Sequence, residues 1–186
     1  MRPDWKKAIG GAVLLAVCAV ASGEVSDAEV EATIKSSFRE RGIATMDRLE
    51  QTDMQRECSK YSGKELPEDV RHAIEKKALE SVKYPADGEY LGDWKAGETI
   101  AQSGRGFQFS DKADTVTGGN CYACHELSKA EISFGNIGPS LHHYGKKRGD
   151  SEETRKYTWA RIWNPHSYSA CTHMPRFGAA GLLTEK

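Results

Sequence analysis

The stretch GNCYACH, residues 119–125, holds two cysteines separated by two residues, with a histidine directly after the second cysteine. C-x-x-C-H is the attachment signature of c-type haem. Two thiols one helical turn apart match the separation of the two haem vinyl groups, and the residue that follows then lies under the iron. We therefore predict one covalent haem c, attached through Cys121 and Cys124, with His125 as an axial ligand.

Two other kinds of site also contain C-x-x-C. A thioredoxin-like redox pair is expected beside a βαβ pattern, and the sequence shows none. Half of a zinc site would need a second ligand pair at suitable spacing, which the chain does not offer. The immediate histidine, together with an export signal, favours haem over both alternatives.

The export signal is the only long apolar run of the chain, residues 8–21, which follows a basic N-terminal segment. The run is too short to span a bilayer comfortably, and its last three residues have the small-x-small pattern of a signal peptidase site. We predict a signal peptide at residues 1–21. The mature protein would then be periplasmic, with no membrane span after the signal is removed.

Two alternatives remain for this N-terminal segment. An uncleaved anchor is one of them. A lipid attachment site at Cys18 is the other, and it is less favoured because Val17 is bulkier than the small residue that precedes such a cysteine.

The composition limits the kinds of partner. The chain has 186 residues, enough for one domain with an extension, and its formal net charge is −1. A nearly balanced charge indicates neither a nucleic-acid surface nor a surface for anionic membranes.

Helical patterns predict an all-α fold, with a charged helical extension at residues 22–86 and a haem domain at residues 87–186. Four helices are predicted from caps and apolar spacing. The first begins at the Ser26 capping box, and the second covers Met46 to Glu57. The third starts at Pro67 and ends at Tyr84-Pro85, and the fourth runs from the Asp93 cap to Ala101. The segment from Gly135 to Arg148 has few apolar residues, so a haem would supply the core that it lacks.

The sixth ligand of the iron has several candidates in the sequence: Met174, His142, His143, His166, His173 and Cys171. We favour Met174, because Pro175 stiffens the turn after the sulfur and Gly178 lets the backbone pass close to the ring. A buried core methionine is the alternative.

The segment GNIGPSL, residues 135–141, is predicted to run beside the proximal face of the haem. There the carbonyl of Pro139 would accept from the second nitrogen of His125. Further residues are predicted to surround the haem: His142 or His143 at a propionate or in solvent, Tyr157, Trp159, Trp163 and Phe177 at its edge, and Arg161 or Arg176 paired with a propionate.

Cys58 and Cys171 are the thiols left once the signal peptide is removed and the haem is attached. In an exported protein an even remainder predicts a disulfide, which would tie the extension to the Met174 loop. Two free thiols are the alternative.

From residue 92 onward the chain contains GDWKAGE, SGRG, GNCYACH, GNIGPSL and MPRFG, and the run YTWARIWNP at residues 157–165 leads toward Met174. This half of the chain resembles SoxX, the monohaem subunit of the SoxAX cytochromes of bacterial sulfur oxidation. The resemblance implies a class I cytochrome c fold in which His125 and Met174 take the axial positions. A class I domain normally closes with a C-terminal helix, and here that helix is missing after Thr184, which suggests a fragment.

The resemblance also implies a set of partners. A SoxA-like dihaem or monohaem cytochrome would carry the catalytic haem of an L-cysteine S-thiosulfotransferase, where thiosulfate is joined to a cysteine of the SoxYZ carrier. This chain would accept the electrons and pass them to a small cytochrome. The alternatives are a freestanding monohaem electron carrier and a haem protein that binds or senses a small ligand.

Overall fold

The structure is a computed structural model that describes residues 25–184. Every regular element in that range is helical, and a single isolated bridge between Arg41 and Ala44 is the only β pairing there. The α-helices are α1 (Asp27–Ser37), α2 (Asp53–Lys60), α3 (Glu68–Glu80), α4 (Trp94–Gln102), α5 (Tyr144–Arg148) and α6 (Glu152–Trp163). Three 3-10 turns cover Met46–Leu49, Cys121–Ala123 and Pro165–Ser167. The all-α class predicted from the sequence is confirmed for these residues, and the predicted signal peptide lies outside them.

The chain divides into two units between Phe38 and Arg39. The described part of the first unit contains α1, which begins with the predicted capping box. Ser26 Oγ accepts from the N–H of Glu29 at 3.3 Å, and Glu29 Oε2 accepts from the N–H of Ser26 at 2.9 Å. The second unit begins at Arg39 and contains all the other elements.

The single helix predicted from Met46 to Glu57 is wrong, because the structure has two separate elements there. A 3-10 turn ends at Leu49 and α2 begins at Asp53. Thr52 forms a capping box of its own with Gln55, whose side-chain oxygen accepts from the N–H of Thr52 at 2.9 Å. A capping box starts a new helix, so Thr52 and Gln55 are the sequence signal that separates the two elements.

The core of the second unit lies where α3 meets the turn Pro165–Ser167. Helix α3 follows Pro67, as predicted, and buries Ile74 and Ala78. These two positions are four residues apart and therefore share one face of the helix. All three residues of the turn are buried as well. Helix α3 ends at Glu80, four residues before the predicted stop at Tyr84.

Helix α6 was not predicted from the sequence. It connects residues 39–86 with the later part of the second unit. Ser151 caps it by accepting from the N–H of Thr154. The indole N–H of Trp159 donates to the backbone carbonyl of Lys83 at 2.8 Å. This bond crosses the domain boundary that the sequence suggested at residue 86, so residues 39–86 share a unit with the segments that follow.

Across residues 25–184, no helix combines the length and the apolar character that a bilayer span requires.

Candidate functional site

The C-x-x-C-H segment forms one tight helical turn. Asn120 precedes it in the left-handed conformation, with a φ of 45°. The backbone N–H groups of Cys124 and His125 both donate to the carbonyl of Cys121, at 3.1 and 2.9 Å. The two thiols are therefore one turn apart, and His125 follows directly on the same turn.

Both cysteines of the turn carry free, half-buried thiols. Burial raises the pKa of the Cys121 thiol above its ordinary value. The attacking cysteine of a redox pair instead needs a lowered pKa, because the thiolate is the nucleophile. The environment of Cys121 therefore argues against a thioredoxin-like function.

Residues 135–141 run alongside the turn and are held there by regularly spaced backbone bonds. Each bond joins an N–H of this segment to a carbonyl of the turn or of the residue after it, at 2.8 Å, and the pairs are Gly135 with Tyr122, Gly138 with Cys124 and Leu141 with Glu126. The hydroxyl of Ser140 adds a bond to the Glu126 carboxylate at 2.6 Å. The position of Pro139 relative to His125 is thereby fixed from both sides.

The imidazole of His125 is oriented by that segment. Its Nδ1 lies 2.7 Å from the carbonyl oxygen of Pro139. A carbonyl oxygen can only accept, so Nδ1 carries the proton in this bond. In the neutral ring Nε2 then keeps its lone pair, which is the form of histidine that binds a metal.

Gly138 lies against the face of the His125 ring. A Cβ atom at this position would come within 2.2 Å of Cε1, 2.5 Å of Nδ1 and 2.7 Å of Nε2. Such contacts are far inside van der Waals separation, so only glycine fits. The contact leaves the ring little freedom to turn.

Met174 lies in a second segment, whose far end at Leu183 approaches the cysteine turn. Met174 is half-buried, and its backbone N–H donates to Thr172 Oγ1 at 3.3 Å. Nine residues further on, the N–H of Leu183 donates to the carbonyl of Phe177 at 3.1 Å. A Cβ atom placed on Gly119 would lie 3.1 Å from Cys121 Sγ and 3.7 Å from a methyl carbon of Leu183. Leu183 thus joins the two segments, and ligation of the iron by Met174 stays a prediction.

Three of the other candidate ligands already have a partner within the protein. His166 is buried, and its Nδ1 accepts from the backbone N–H of Cys171 at 3.1 Å. Burial, with a smaller contribution from the positive charge of Arg176, lowers the pKa of His166. His142 and His143 stack on each other with their ring centroids 3.9 Å apart. His166 therefore has a structural partner already, as does each ring of the stacked pair.

Arg161, predicted as a partner for a propionate, is engaged within the protein. Its Nη1 donates to the Pro165 carbonyl at 3.0 Å and to Ser169 Oγ at 2.9 Å, and its Nε donates to the Tyr157 hydroxyl at 3.1 Å. Of the two arginines that the sequence suggested, Arg176 is the one whose side chain makes no hydrogen bond within residues 25–184.

Trp163 has a buried indole nitrogen with no hydrogen-bond partner in the part of the chain that the structure describes. Its ring lies against Gly178, where a Cβ would fall 2.4 Å from the indole. A buried N–H without an acceptor is costly, so such a donor suits a ligand oxygen. The sequence could suggest an aromatic ring here, but not that its N–H lacks a partner.

Cys58 of α2 and Cys171 form a disulfide, with their Cα atoms 5.4 Å apart. Among residues 25–184 no group of three or more histidine, cysteine or acidic side chains is arranged to hold a metal ion. A structural zinc site needs four such ligands, whereas a haem iron takes only two from the protein. The described residues therefore leave the haem prediction open.

Comparison with known proteins gave one informative relative. No family model matches the chain. The chain is similar to an uncharacterized lipoprotein of Aquifex aeolicus (strain VF5), with 45% identity over 105 residues. The match covers 56% of this chain and 49% of the relative, so the chain spans about half the length of the curated protein that it matches.

Proposed function

We propose that this chain is a c-type cytochrome that carries electrons on one haem, attached through Cys121 and Cys124 and ligated by His125. The observation that carries the proposal is the bond from His125 Nδ1 to the Pro139 carbonyl, at 2.7 Å, within a C-x-x-C-H turn. It holds the imidazole in the tautomer that a metal requires. When bound, the haem supplies one-electron chemistry by cycling its iron between the ferric and ferrous states.

Several features of the described residues fit a haem. The thiols of the turn lie on one helical turn, as attachment to two vinyl groups needs. The unpartnered indole N–H of Trp163 fits a propionate oxygen, and Arg176 lies two residues before Gly178, which packs against that indole. Ile132 and Ile137, close to the turn in sequence, are 104% and 79% exposed, and they would gain by burial against an apolar ring.

We assign Met174 as the sixth ligand. The assignment is supported by the return of its segment to the cysteine turn through Leu183 and by the structural bond that already occupies His166. A thioether favours ferrous iron and raises the reduction potential, so the site suits electron acceptance better than oxygen activation.

Attachment of the haem is tested on protein produced in a host that has a c-type maturation system. We expect the pigment to stay with the polypeptide in acid-acetone, and the intact mass to exceed that of the mature chain by one haem. Replacing Cys121 and Cys124 with alanine should abolish both, while replacing Cys58 and Cys171 should leave both. Pigment released freely from the wild-type protein would refute the proposal.

In its more specific form, we propose that the chain is the SoxX-like, electron-accepting subunit of a SoxAX-type complex, whose catalytic centre lies on the SoxA-like partner. The support is the set of sequence motifs from Gly92 to Gly178. The test is co-purification with a second cytochrome, followed by haem reduction that requires both thiosulfate and a SoxYZ-type carrier. A monomer that exchanges electrons without that partner would instead be a freestanding electron carrier.

We also propose that the protein acts in the cell envelope, in the periplasm. The apolar segment at residues 8–21 and the disulfide support export, and the Aquifex relative is named a lipoprotein. That name gives weight to Cys18 as an alternative lipid attachment site. Mass analysis of the mature N-terminus distinguishes a chain that begins after residue 21 from a lipid-modified chain that begins at Cys18.

A further inference from the structure

The segment that carries Met174 is anchored by helices from the first half of the second unit. Cys171, three residues before Met174, is bonded to Cys58 in α2, which lies 113 residues earlier in the sequence. The nearest covalent anchor of the proposed sixth ligand is therefore a helix outside the motif-bearing half of the chain.

Helix α3 holds the residues that precede Cys171. The backbone N–H of Ala170 donates to Glu75 Oε1 at 3.4 Å. The side-chain amide of Asn164 donates to Ser81 Oγ at 3.1 Å. Between them, the buried turn Pro165–Ser167 packs on α3. The residues that precede Cys171 are therefore held in place by their contacts with α3 and its C-terminal end.

The backbone of Cys171 adopts a conformation that needs such anchors. Its φ is +59°, in the left-handed region that residues with a Cβ rarely adopt. The bond from its N–H to the buried His166 and the disulfide to Cys58 both hold it in that conformation. Without the disulfide, one of these two restraints is gone, and the backbone can relax toward an ordinary conformation.

On the other side of Met174 the chain is anchored again. Phe177 is buried and Gly178 lies against the Trp163 ring. Residues 172–176 therefore bridge two fixed points, and within that bridge His173 and Pro175 are exposed. The position of the methionine depends on both ends of the bridge, and only the end at Cys171 is covalently fixed.

We propose that Cys58 and Cys171 are positioning residues for the sixth ligand, and that cleavage of their disulfide frees Met174 to leave the iron. The inference rests on the proposed haem site. In the cleavage step the disulfide takes up two electrons and two protons and becomes two thiols, while a dithiol reductant is oxidised to its own disulfide. A small ligand would then compete for the coordination position that Met174 gives up. This role gives residues 53–81 a function in the haem site.

The first experiment compares the wild-type haem protein with the C58A/C171A variant. Both cysteines are replaced because a lone Cys171 thiol, three residues from Met174, could itself bind the iron. The matched control is T52A, which removes the cap of α2 but keeps the disulfide. Each ferric protein is titrated with imidazole, and the weak red absorption band of methionine-ligated iron is recorded together with the haem content.

We expect C58A/C171A to keep a full complement of haem but to lose most of the red band. Imidazole should bind it about tenfold more tightly or better, since the ligand no longer competes with a tethered methionine. The T52A variant should retain the wild-type band and affinity. A C58A/C171A protein with an unchanged band and an imidazole affinity within about twofold of wild type would overturn the inference.

A second measurement covers the case in which the double variant does not fold. The folded wild-type haem protein is reduced with dithiothreitol, its thiols are alkylated, and the iron is reoxidised with ferricyanide before the same titration. An unaltered band after complete alkylation of Cys58 and Cys171 would also overturn the inference. If wild-type protein carries no covalent haem, the proposed function fails; if it carries haem whose ligation ignores the disulfide, only the present inference fails.

Discussion

A methyl group added at Gly138 should disrupt the orientation of His125. The new Cβ would lie 2.2 to 2.7 Å from three atoms of the imidazole. Unstrained contacts between carbon atoms lie at about 3.5–4.0 Å, so the ring or the backbone must retreat by about 1 Å or more. A retreat of the ring by that amount stretches the 2.7 Å bond from Nδ1 to Pro139 past hydrogen-bonding distance.

The expected cost of G138A has two parts. Overpacking of this kind destabilises a folded protein by about 1–3 kcal/mol. Loss of the partner that orients a ligating histidine commonly weakens metal binding by about 10- to 100-fold. We therefore expect a lower urea midpoint for the ferric protein, and a faster exchange of the proximal ligand in an imidazole competition.

The matched control for this prediction is G145A. Nothing lies within 4 Å of a Cβ at Gly145, which is inside α5. Alanine there should be neutral or stabilise the protein by up to about 1 kcal/mol, because glycine is a poor helix former. If G138A unfolds at the wild-type urea concentration and keeps the wild-type low-spin spectrum, the close packing of residue 138 on His125 does not constrain the ligand.

Three further predictions concern the surroundings of the site. In haem-loaded protein, W163F should lower the free energy of unfolding by about 1.5–3 kcal/mol if the Trp163 N–H donates to a charged propionate. W159F, which loses the bond to the Lys83 carbonyl, should lower it by about 1 kcal/mol. A W163F protein as stable as wild type in urea unfolding would show that Trp163 does not bind a propionate. The lowered pKa of His166 means that the unfolded chain binds a proton more readily, so stability should be complete above the unfolded-state pKa of 6.5 and should decline as the pH falls below it. Thermal midpoints at about pH 7 and about pH 5 should differ less in H166Q than in wild type, and equal differences would contradict this assignment. The T52A change should lower the free energy of unfolding by about 1 kcal/mol in urea titrations, whereas no loss would show that α2 does not depend on its cap.

Local signals in the sequence identified those helices whose ends are set by neighbouring side chains. The capping box at Ser26, the proline before α3 and the Asp93 cap before α4 all act within a few residues, so each can be found by inspection. Helix α6 was not predicted, because its aromatic residues contact several partners and form no regular apolar stripe. Its Trp159 is held by Lys83, a contact 76 residues away that no local pattern reports.

The candidate site was predictable to the extent that covalent chemistry fixes spacing. The spacing of Cys121, Cys124 and His125 is the one that attachment of the proposed haem would require, and the Pro139 carbonyl was predicted from the need to orient the imidazole. The choice between Arg161 and Arg176 could not be made this way. Arg161 is occupied by Tyr157 and by the turn after α6, and only the folded arrangement shows that.

The link between Cys58 and Cys171 closes a covalent ring, and the C-x-x-C-H turn lies inside it. Of the single disulfides that Cys58, Cys121, Cys124 and Cys171 could form, only the one between Cys58 and Cys171 leaves both thiols of the turn available. A disulfide between Cys121 and Cys124 would block attachment of the proposed haem. A disulfide from Cys58 to either of them would close a different covalent ring. If the chain carries the proposed haem, its maturation depends on the order in which its cysteine thiols react.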